Sequence, residues 1–300
     1  AVIIGAGAVA LEFASLWNAA GCEVTLLIRK DRVLSTWERR ASMTLTRELK
    51  RRGVNVIART AVDRVDTGAN LGATVHYRQG DSDEDRTAYG EVVLAAIGRV
   101  PNTDADWFRS SGLKLDERGY VTVDGYGRTN LDGVWALGDI TPGHALAHRA
   151  FEQGITIAEK IAGADPKPVL DDTVPQVVFS FPEAASVGLT LDQAKAREDV
   201  VEPKETAYPM LSNARMLMSG EGGSMTVVSG AFANNPDMQV VLGVHIVSPI
   251  ASDLIAEAEQ LVGNRVPLAD AARLIHPHPT FSETLGEALL KADGRPLHTR

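Results

Sequence analysis

The chain has 300 residues, 44% of them hydrophobic, a formal net charge of −9 and one cysteine. This suits about two domains with a sizeable core, and the acidic balance argues against nucleic acid or an anionic membrane as a partner. No apolar run is long enough for a transmembrane helix, no signal peptide is visible, and a lone Cys22 permits no intrachain disulfide, which together fit a cytoplasmic protein.

Val2-Ile3-Ile4 is a short apolar run, expected as a strand. It meets Gly5-Ala6-Gly7-Ala8-Val9-Ala10 and then Leu11-Glu12-Phe13-Ala14-Ser15-Leu16-Trp17, expected as a helix, and a second apolar run follows at 24–28. Strand, glycine turn, helix and strand within about 30 residues are the context of a dinucleotide-binding unit. Gly5 permits the sharp turn. Gly7 leaves room for a pyrophosphate against the backbone, and Ala10 takes the place of the third glycine while still allowing close helix–strand packing. The helix N-terminus offers free N–H groups and the positive end of its dipole to phosphates. The sequence opens at Ala1 directly on this strand, without a start methionine, so we expect it to be the C-terminal part of a longer chain.

The end of the second strand reads Ile28-Arg29-Lys30-Asp31-Arg32. Bases cluster there where a 2′-phosphate would sit, which favours NADP; the alternative is a solvated basic turn with Asp31 holding the ribose of NAD. Residues 37–52 read as a helix rich in Arg and Lys, and 54–57 as a short strand. Residues 74–78 and 81–87 suggest a hairpin with an acidic tip, with His76 a surface residue and not a ligand. Residues 91–97 read as a buried strand closing the first domain, and Pro101 turns the following stretch into a crossover. Strands are expected at 121–124 and at 129–139, the latter ending in Gly138-Asp139. An Asp at such a strand tip accepts hydrogen bonds from a sugar or ribityl chain, or caps the helix that follows Pro142. Residues 146–163 form an apolar-periodic helix, and Pro166 and Pro168 mark a linker. Beyond it, strands at 174–181, 185–189, 225–228 and 240–247 and helices at 252–262 and 268–274 make an α+β layer without a second phosphate loop.

Six signatures stand in order: Gly5-x-Gly7-x-x-Ala10 followed by Leu11-Glu12; Gly98-Arg99-x-Pro101-Asn102; Gly133-Val134-Trp135-Ala136-Leu137-Gly138-Asp139; Leu146-Ala147-His148-Arg149-Ala150; Pro182-Glu183-x-Ala185-Ser186-Val187-Gly188; and His276-Pro277-His278-Pro279-Thr280-Phe281-Ser282-Glu283. With them the chain resembles the flavoprotein disulfide reductases, the class I pyridine nucleotide-disulfide oxidoreductases, and most closely their dihydrolipoamide dehydrogenase branch, from Val2 to about residue 290. The resemblance implies an α/β fold in three parts: a Rossmann-like NAD(P)-binding domain over 1–98, a remnant of the FAD-binding domain over 99–168, and an α+β dimerisation domain over 169–300.

It also implies roles. Asp139 would bind the ribityl chain of FAD, and the backbone at Leu146, Ala147 and His148 would face the flavin pyrimidine ring. Gly98 would belong to the cofactor site, and Glu12 would lie beside the nicotinamide; read plainly, Glu12 is a helix-dipole acid. His278 and Glu283 would be a base and its orienter, taking a proton from a dithiol substrate across a homodimer interface, although on spacing alone His278 and His276 read as turn residues in a Pro-rich loop. The implied function is FAD-dependent electron transfer between NAD(P)H and a dithiol or disulfide, either a small molecule or a lipoyl domain. The alternatives are an NADPH-dependent disulfide or quinone reductase, a soluble transhydrogenase, or a redox-dead nucleotide-binding dimerisation module.

Two departures qualify this. The family's N-terminal FAD-binding segment and its Cys-x-x-x-x-Cys pair are not in this sequence. Cys22 cannot replace that pair and reads as a small structural hydrophobe, so this chain alone is expected to be inactive and colourless. Arg29 and Lys30 in turn resemble the NADP-using glutathione reductase branch. No metal site is expected.

Overall fold

The computed structural model describes residues 1–67 and 72–299. Two compact units result: Ala1–Gly98 joined with Pro175–Arg300, and Arg99–Val174.

The first unit opens with β1 (Val2–Ile4), α1 (Ala8–Ala19), β2 (Thr25–Ile28), α2 (Arg39–Arg51) and β3 (Asn55–Ala58). A hairpin layer follows: β4 (Thr60–Thr67), β5 (Ala73–Gln79) and β6 (Arg86–Gly90). β7 (Val93–Ala95) then returns to β1. The parallel sheet runs β3-β2-β1-β7, with Ile3 level with Leu26 and Leu94. α2 is amphipathic: Ala41, Leu45 and Leu49 recur every fourth residue and are buried with Leu11, Ala14, Leu26 and Ile28. Its N-cap is Glu38, whose carboxylate accepts from the amides of Arg40 (2.6 Å) and Ala41 (2.7 Å). That arrangement satisfies two of the orphan donors that open a helix.

Two expectations are corrected here, and one strand is added. β7 is shorter than the run 91–97 suggests and is only partly buried, because it is the sheet edge with β1 as its one neighbour. β4, which pairs antiparallel with β5, was missed; its outer residues are charged and exposed. Cys22 is exposed in the turn between α1 and β2, so it is not a packed hydrophobe. His76 lies in β5 held by Asp85 (3.0 Å) and Asp66 (3.1 Å), a surface ion cluster on the hairpin with the acidic tip.

The second unit carries α3 (Asp106–Ser110) and α4 (Ala147–Ile161) and a small core of Phe108, Val121 and Ala136. The strands expected at 121–124 and 129–139 do not form. Isolated bridges join Leu115 to Val121 and Arg128 to Trp135 instead. The reason is local. Asp116 Oδ1 accepts from the amides of Arg118 and Tyr120, and Asp124 Oδ1 from those of Tyr126 and Arg128. These Asx turns satisfy the backbone within a few residues and leave too little extended chain for a ladder.

The first unit resumes with β8 (Gln176–Val178), β9 (Glu183–Gly188), α5 (Leu191–Ala196), β10 (Val200–Pro209), α6 (Ala214–Ser219), β11 (Ser224–Phe232), β12 (Asn235–Ser248), α7 (Ala251–Gly263), α8 (Leu268–Ala271) and α9 (Glu283–Ala292). The antiparallel sheet runs β10-β11-β12-β9-β8. One face packs Met225, Val227, Val244 and Ile246 under Leu254, Ile255, Ala258 and Leu261 of α7 and Leu285, Ala288 and Leu289 of α9. Burying each large side chain of that set contributes about 1.5–3 kcal/mol. Val178, Ala184 and Val247 join the core of the parallel sheet, so the two sheets of this unit share one buried layer.

Candidate functional site

Gly5 follows β1 with φ +136, and a Cβ built on it would lie 2.2 Å from the Ala96 carbonyl oxygen. Only glycine fits between these two strand ends. Gly7 is the N-cap of α1, extended (φ −89, ψ −176), with no side-chain cap, and nothing lies within 4 Å of where a Cβ would stand. The first turn of α1 holds no acidic residue, and the first intrahelical bond is from Leu11 N to Gly7 O. The amides before it are therefore open to an anion. Ala10 is fully buried against the sheet.

Glu12 is the fifth residue of α1, in its second turn. Its Oε1 accepts from the amide of Phe179 (3.0 Å), and Ser15 Oγ likewise accepts from Phe181 N (3.0 Å). α1 is thereby tied to the segment that follows β8. Arg29 and Lys30 are exposed past the end of β2 and carry no ion pair among the described residues, whereas Asp31 is engaged by Arg32 at 3.1 Å. Sequence reasoning missed a fourth base there: Arg59, at φ +57, donates its amide to the Lys30 carbonyl (3.0 Å). Gly98, at φ +131, ends this stretch of the unit.

In the second unit, Asp139 is exposed in a short 3-10 turn and has no hydrogen bond or ion pair among the described residues. The amide of Gly138 beside it is held by Gln153 Oε1 of α4 at 2.9 Å. α4 begins after Leu146 with no side-chain cap and no acid in its first turn, and Ala147 and His148 are exposed there. Arg149 one step on is buried and donates to Asp171 (2.7 Å) and to the Pro142 carbonyl, which fixes the start of the helix.

His278 and Glu283 do meet. His278 Nδ1 lies 2.8 Å from Glu283 Oε1, and Glu283 Oε2 accepts from the amide of Thr280 at 2.8 Å. Glu283 is the first residue of α9, a helix the sequence reading left out. Burial works against its ionisation, but the Thr280 amide and His278 outweigh it and hold the carboxyl below its ordinary value. A carboxylate at Nδ1 fixes the tautomer and leaves Nε2 as the basic nitrogen. The imidazole is 71% exposed, so the side of the ring away from Glu283 faces solvent. The His278–Pro279 peptide is cis.

Sequence reasoning missed the supports of this loop. His276 Nε2 lies 2.9 Å from Glu257 Oε1 of α7, and Asn213, which caps α6, donates its side-chain amide to the Thr280 carbonyl (3.1 Å). The hydrogen bond to Glu257 raises the pKa of His276 from its ordinary value, against burial, which lowers it. Partners 19 and 67 residues away leave no local signal. Among the described residues no group of His, Cys, Asp and Glu is placed to hold a metal, and no helix is long and apolar enough to cross a membrane.

Residues 1–154 match the family model of the pyridine nucleotide-disulphide oxidoreductases, and 174–289 match that of the pyridine nucleotide-disulphide oxidoreductase dimerisation domain. The chain is similar to dihydrolipoyl dehydrogenases from Cupriavidus necator (37% identity, 99% of this chain, 60% of the relative) and Geobacillus stearothermophilus (36% identity, 99% and 61%). It therefore spans about three fifths of the length of these relatives. Among solved structures it is similar to LpdA from Mycobacterium tuberculosis, with a TM-score of 0.85 and 29% identity over 97% of this chain and 61% of that one.

Proposed function

The chain belongs to the pyridine nucleotide-disulphide oxidoreductases, and on that premise we propose that it is part of a dihydrolipoyl dehydrogenase-like enzyme that moves electrons between NAD(P)H and a dithiol or disulfide. The observation that carries this reading is the His278–Glu283 pair, a base oriented by a carboxylate held ionised and open to solvent on its reactive side.

The residues of each unit fit the implied cofactors. An uncapped α1 with open space at Gly7 suits a dinucleotide pyrophosphate, with Gly5 and Ala10 shaping the turn, Gly98 and Glu12 completing the site and Glu12 beside the nicotinamide. Exposed, unpaired Arg29 and Lys30 suit a 2′-phosphate, which favours NADP over NAD. An unpartnered Asp139 and the uncapped start of α4 at Leu146, Ala147 and His148 suit the ribityl chain and ring edge of FAD. When bound, FAD supplies the two-electron exchange between nicotinamide and disulfide. The chain has a single cysteine, so the disulfide itself is not supplied from within it.

His278 Nε2 takes the proton of a substrate thiol and leaves a thiolate, the nucleophile of disulfide exchange. Glu283 holds the resulting imidazolium by the Nδ1 hydrogen bond, and the same proton returns to the product thiol. The functional parts are a nucleotide-binding domain over 1–98, the end of an FAD-binding domain over 99–168 and a dimerisation domain over 169–300, assembled as a homodimer in which His278 serves the partner's disulfide.

The test is steady-state turnover of the full-length protein with dihydrolipoamide, glutathione disulfide and a quinone, each with NAD(H) and NADP(H), for wild type and His278→Gln. Loss of a general base lowers dithiol turnover by about 10²–10⁴-fold. A quinone presents no thiol, so its reduction is expected to be unchanged. Dithiol turnover that survives the substitution refutes the reading.

A further inference from the structure

We propose that His276 is a positioning residue for His278: it locks the segment before the base onto α7 and α9 and so sets where the basic nitrogen stands. The inference rests on the reading of His278 as the base.

His276-Pro277-His278-Pro279 leads toward the start of α9, and its two imidazoles differ sharply in burial. The side chain of His276 is 9% exposed and that of His278 is 71% exposed. One histidine is turned into the protein and the other out of it.

The inward ring is held on two sides. On one, its Nε2 meets Glu257 Oε1 of α7 at 2.9 Å. On the other it lies against α9 at Gly286, where a Cβ would come within 2.5 Å of His276 Nδ1 and 2.9 Å of Cε1. Gly286 is not needed for backbone conformation, since it sits inside a regular helix. Its missing side chain is the space the ring occupies.

Gly286 also lies three residues after Glu283, and residues three apart share a helix face. The loop therefore runs back along the first turn of α9. His276 docks at Gly286, and two residues later His278 reaches Glu283 at 2.8 Å. Beyond the base, the loop is fixed independently by Thr280 N to Glu283 Oε2 (2.8 Å) and by Asn213 Nδ2 to Thr280 O (3.1 Å). His278 is thus pinned from both ends, and His276 is the pin on the N-terminal side. Removing it leaves the second anchor, so the loop stays attached but the imidazole is no longer fixed. Misplacing a reacting group by about 1 Å costs up to about 10²-fold in rate without weakening substrate binding in proportion.

The experiment uses the full-length protein with His276→Ala, His276→Gln, Gly286→Ala, His278→Gln and the double variant His276→Ala/His278→Gln. The readouts are kcat and KM for dihydrolipoamide, quinone turnover, thermal midpoint, and the rate of His278 acylation by diethyl pyrocarbonate, followed by peptide mass spectrometry. His276→Ala is expected to lower dithiol kcat about 10-fold with KM within about two-fold, to leave quinone turnover unchanged and to alter the acylation rate of His278. His276→Gln, whose amide nitrogen can still donate to Glu257, should recover at least half of the loss. The double variant should be no slower than His278→Gln alone, because a positioning residue has nothing to position once the base is gone. Gly286→Ala displaces the His276 ring, so it should lower dithiol kcat with quinone turnover unchanged; the better helix propensity of alanine, about 1 kcal/mol, offsets part of the overpacking and limits the fall in thermal midpoint, whereas a purely structural role predicts a lower midpoint with dithiol kcat unchanged. If His276→Ala does not fold, Gly286→Ala and His276→Gln decide. Unchanged dithiol kcat in Gly286→Ala, full additivity in the double variant, or a parallel fall in quinone turnover overturns the inference while His278→Gln stays inactive. An active His278→Gln overturns the base reading, and this inference with it.

Discussion

Gly5 and Gly7 stand two residues apart in one turn, yet the structure gives them separable duties. At Gly5 the backbone is at φ +136, and a Cβ would lie 2.2 Å from the oxygen and 2.9 Å from the carbon of the Ala96 carbonyl. The residue that carries that carbonyl is anchored beside the turn, the Ala96 amide donating to Ile4 O at 2.8 Å. Gly5→Ala therefore combines an unfavourable backbone region, about 1–3 kcal/mol, with overpacking of about 1–3 kcal/mol. The sum, about 2–6 kcal/mol, is a large part of a domain's stability. At Gly7 the backbone is at φ −89 and nothing lies within 4 Å of the Cβ position. Alanine is accommodated, and its lower unfolded-state entropy offsets the weaker N-cap to within about 0.5 kcal/mol. The added methyl instead occupies the approach of a pyrophosphate. One lost charge-assisted bond of about 1.5–3 kcal/mol weakens coenzyme binding about 10–100-fold. Urea unfolding and fluorescence titration with NADPH and NADH in the full-length protein separate the two effects. Coenzyme affinity unchanged in Gly7→Ala, or wild-type stability in Gly5→Ala, refutes the reasoning.

Arg29→Ala should raise the dissociation constant for NADPH about tenfold and leave that for NADH unchanged; equal wild-type constants for the two coenzymes reject the 2′-phosphate assignment. Gly143→Ala should destabilise the second unit by about 2–4 kcal/mol, because at φ +119 a Cβ would strike Arg149 Nη2 and Asp171, which hold each other; limited proteolysis that cuts the variant no faster than wild type between 99 and 174 would contradict this. Burial pushes the pKa of His245 below its ordinary value, against the Glu38 charge and the Leu189 carbonyl, and Ser186 Oγ lies 2.7 Å from its Nδ1. The folded state then binds fewer protons there than the unfolded one. This contribution is complete above the ordinary histidine value of about 6.5 and is lost as pH falls below it, by up to about 1.4 kcal/mol per pH unit. Urea midpoints between pH 5 and 7 should show that slope, reduced in His245→Gln; an unchanged slope refutes it.

The strands that were legible are those whose surroundings are uniform. β11 and the 240–248 part of β12 are buried on both faces, one under α7 and α9 and the other toward α2, where Ser224 Oγ meets Thr44 Oγ1 at 3.3 Å. Such strands read as unbroken apolar runs. β10 belongs to the same sheet but was missed. It is an edge strand, and its Val200-Val201-Glu202-Pro203 carries a charge at φ +49, a proline and a register shift between Val201 and Lys204. Those features suit an edge, where a missing amide is tolerated, and they erase the alternating pattern. In the second unit the error ran the other way. Apolar residues around Val121 and Trp135 suggested strands, while Asp116 and Asp124 were already closing the backbone into turns.

The candidate site divides along the same line. The turn at Gly5 and Gly7 depends on residues within one strand–helix unit, so spacing alone locates it. The His278–Glu283 contact spans five residues and was legible as a pair, but its environment was not. Glu283 owes its position to being the first residue of α9, and α9 owes its place to Leu285, Ala288 and Leu289 packing under the antiparallel sheet. The loop before it is held by Glu257 and Asn213, on two other helices. Any one of these ties is an ordinary hydrogen bond worth about 1 kcal/mol. Acting together on a segment of eight residues, they leave the imidazole few orientations other than the one that meets Glu283. The motif therefore specifies the His278–Glu283 pair, while the helices distant from it in sequence specify its geometry. Substitutions at Glu257, Asn213 and Gly286 should accordingly reveal how much of the rate depends on placement and not on the base itself.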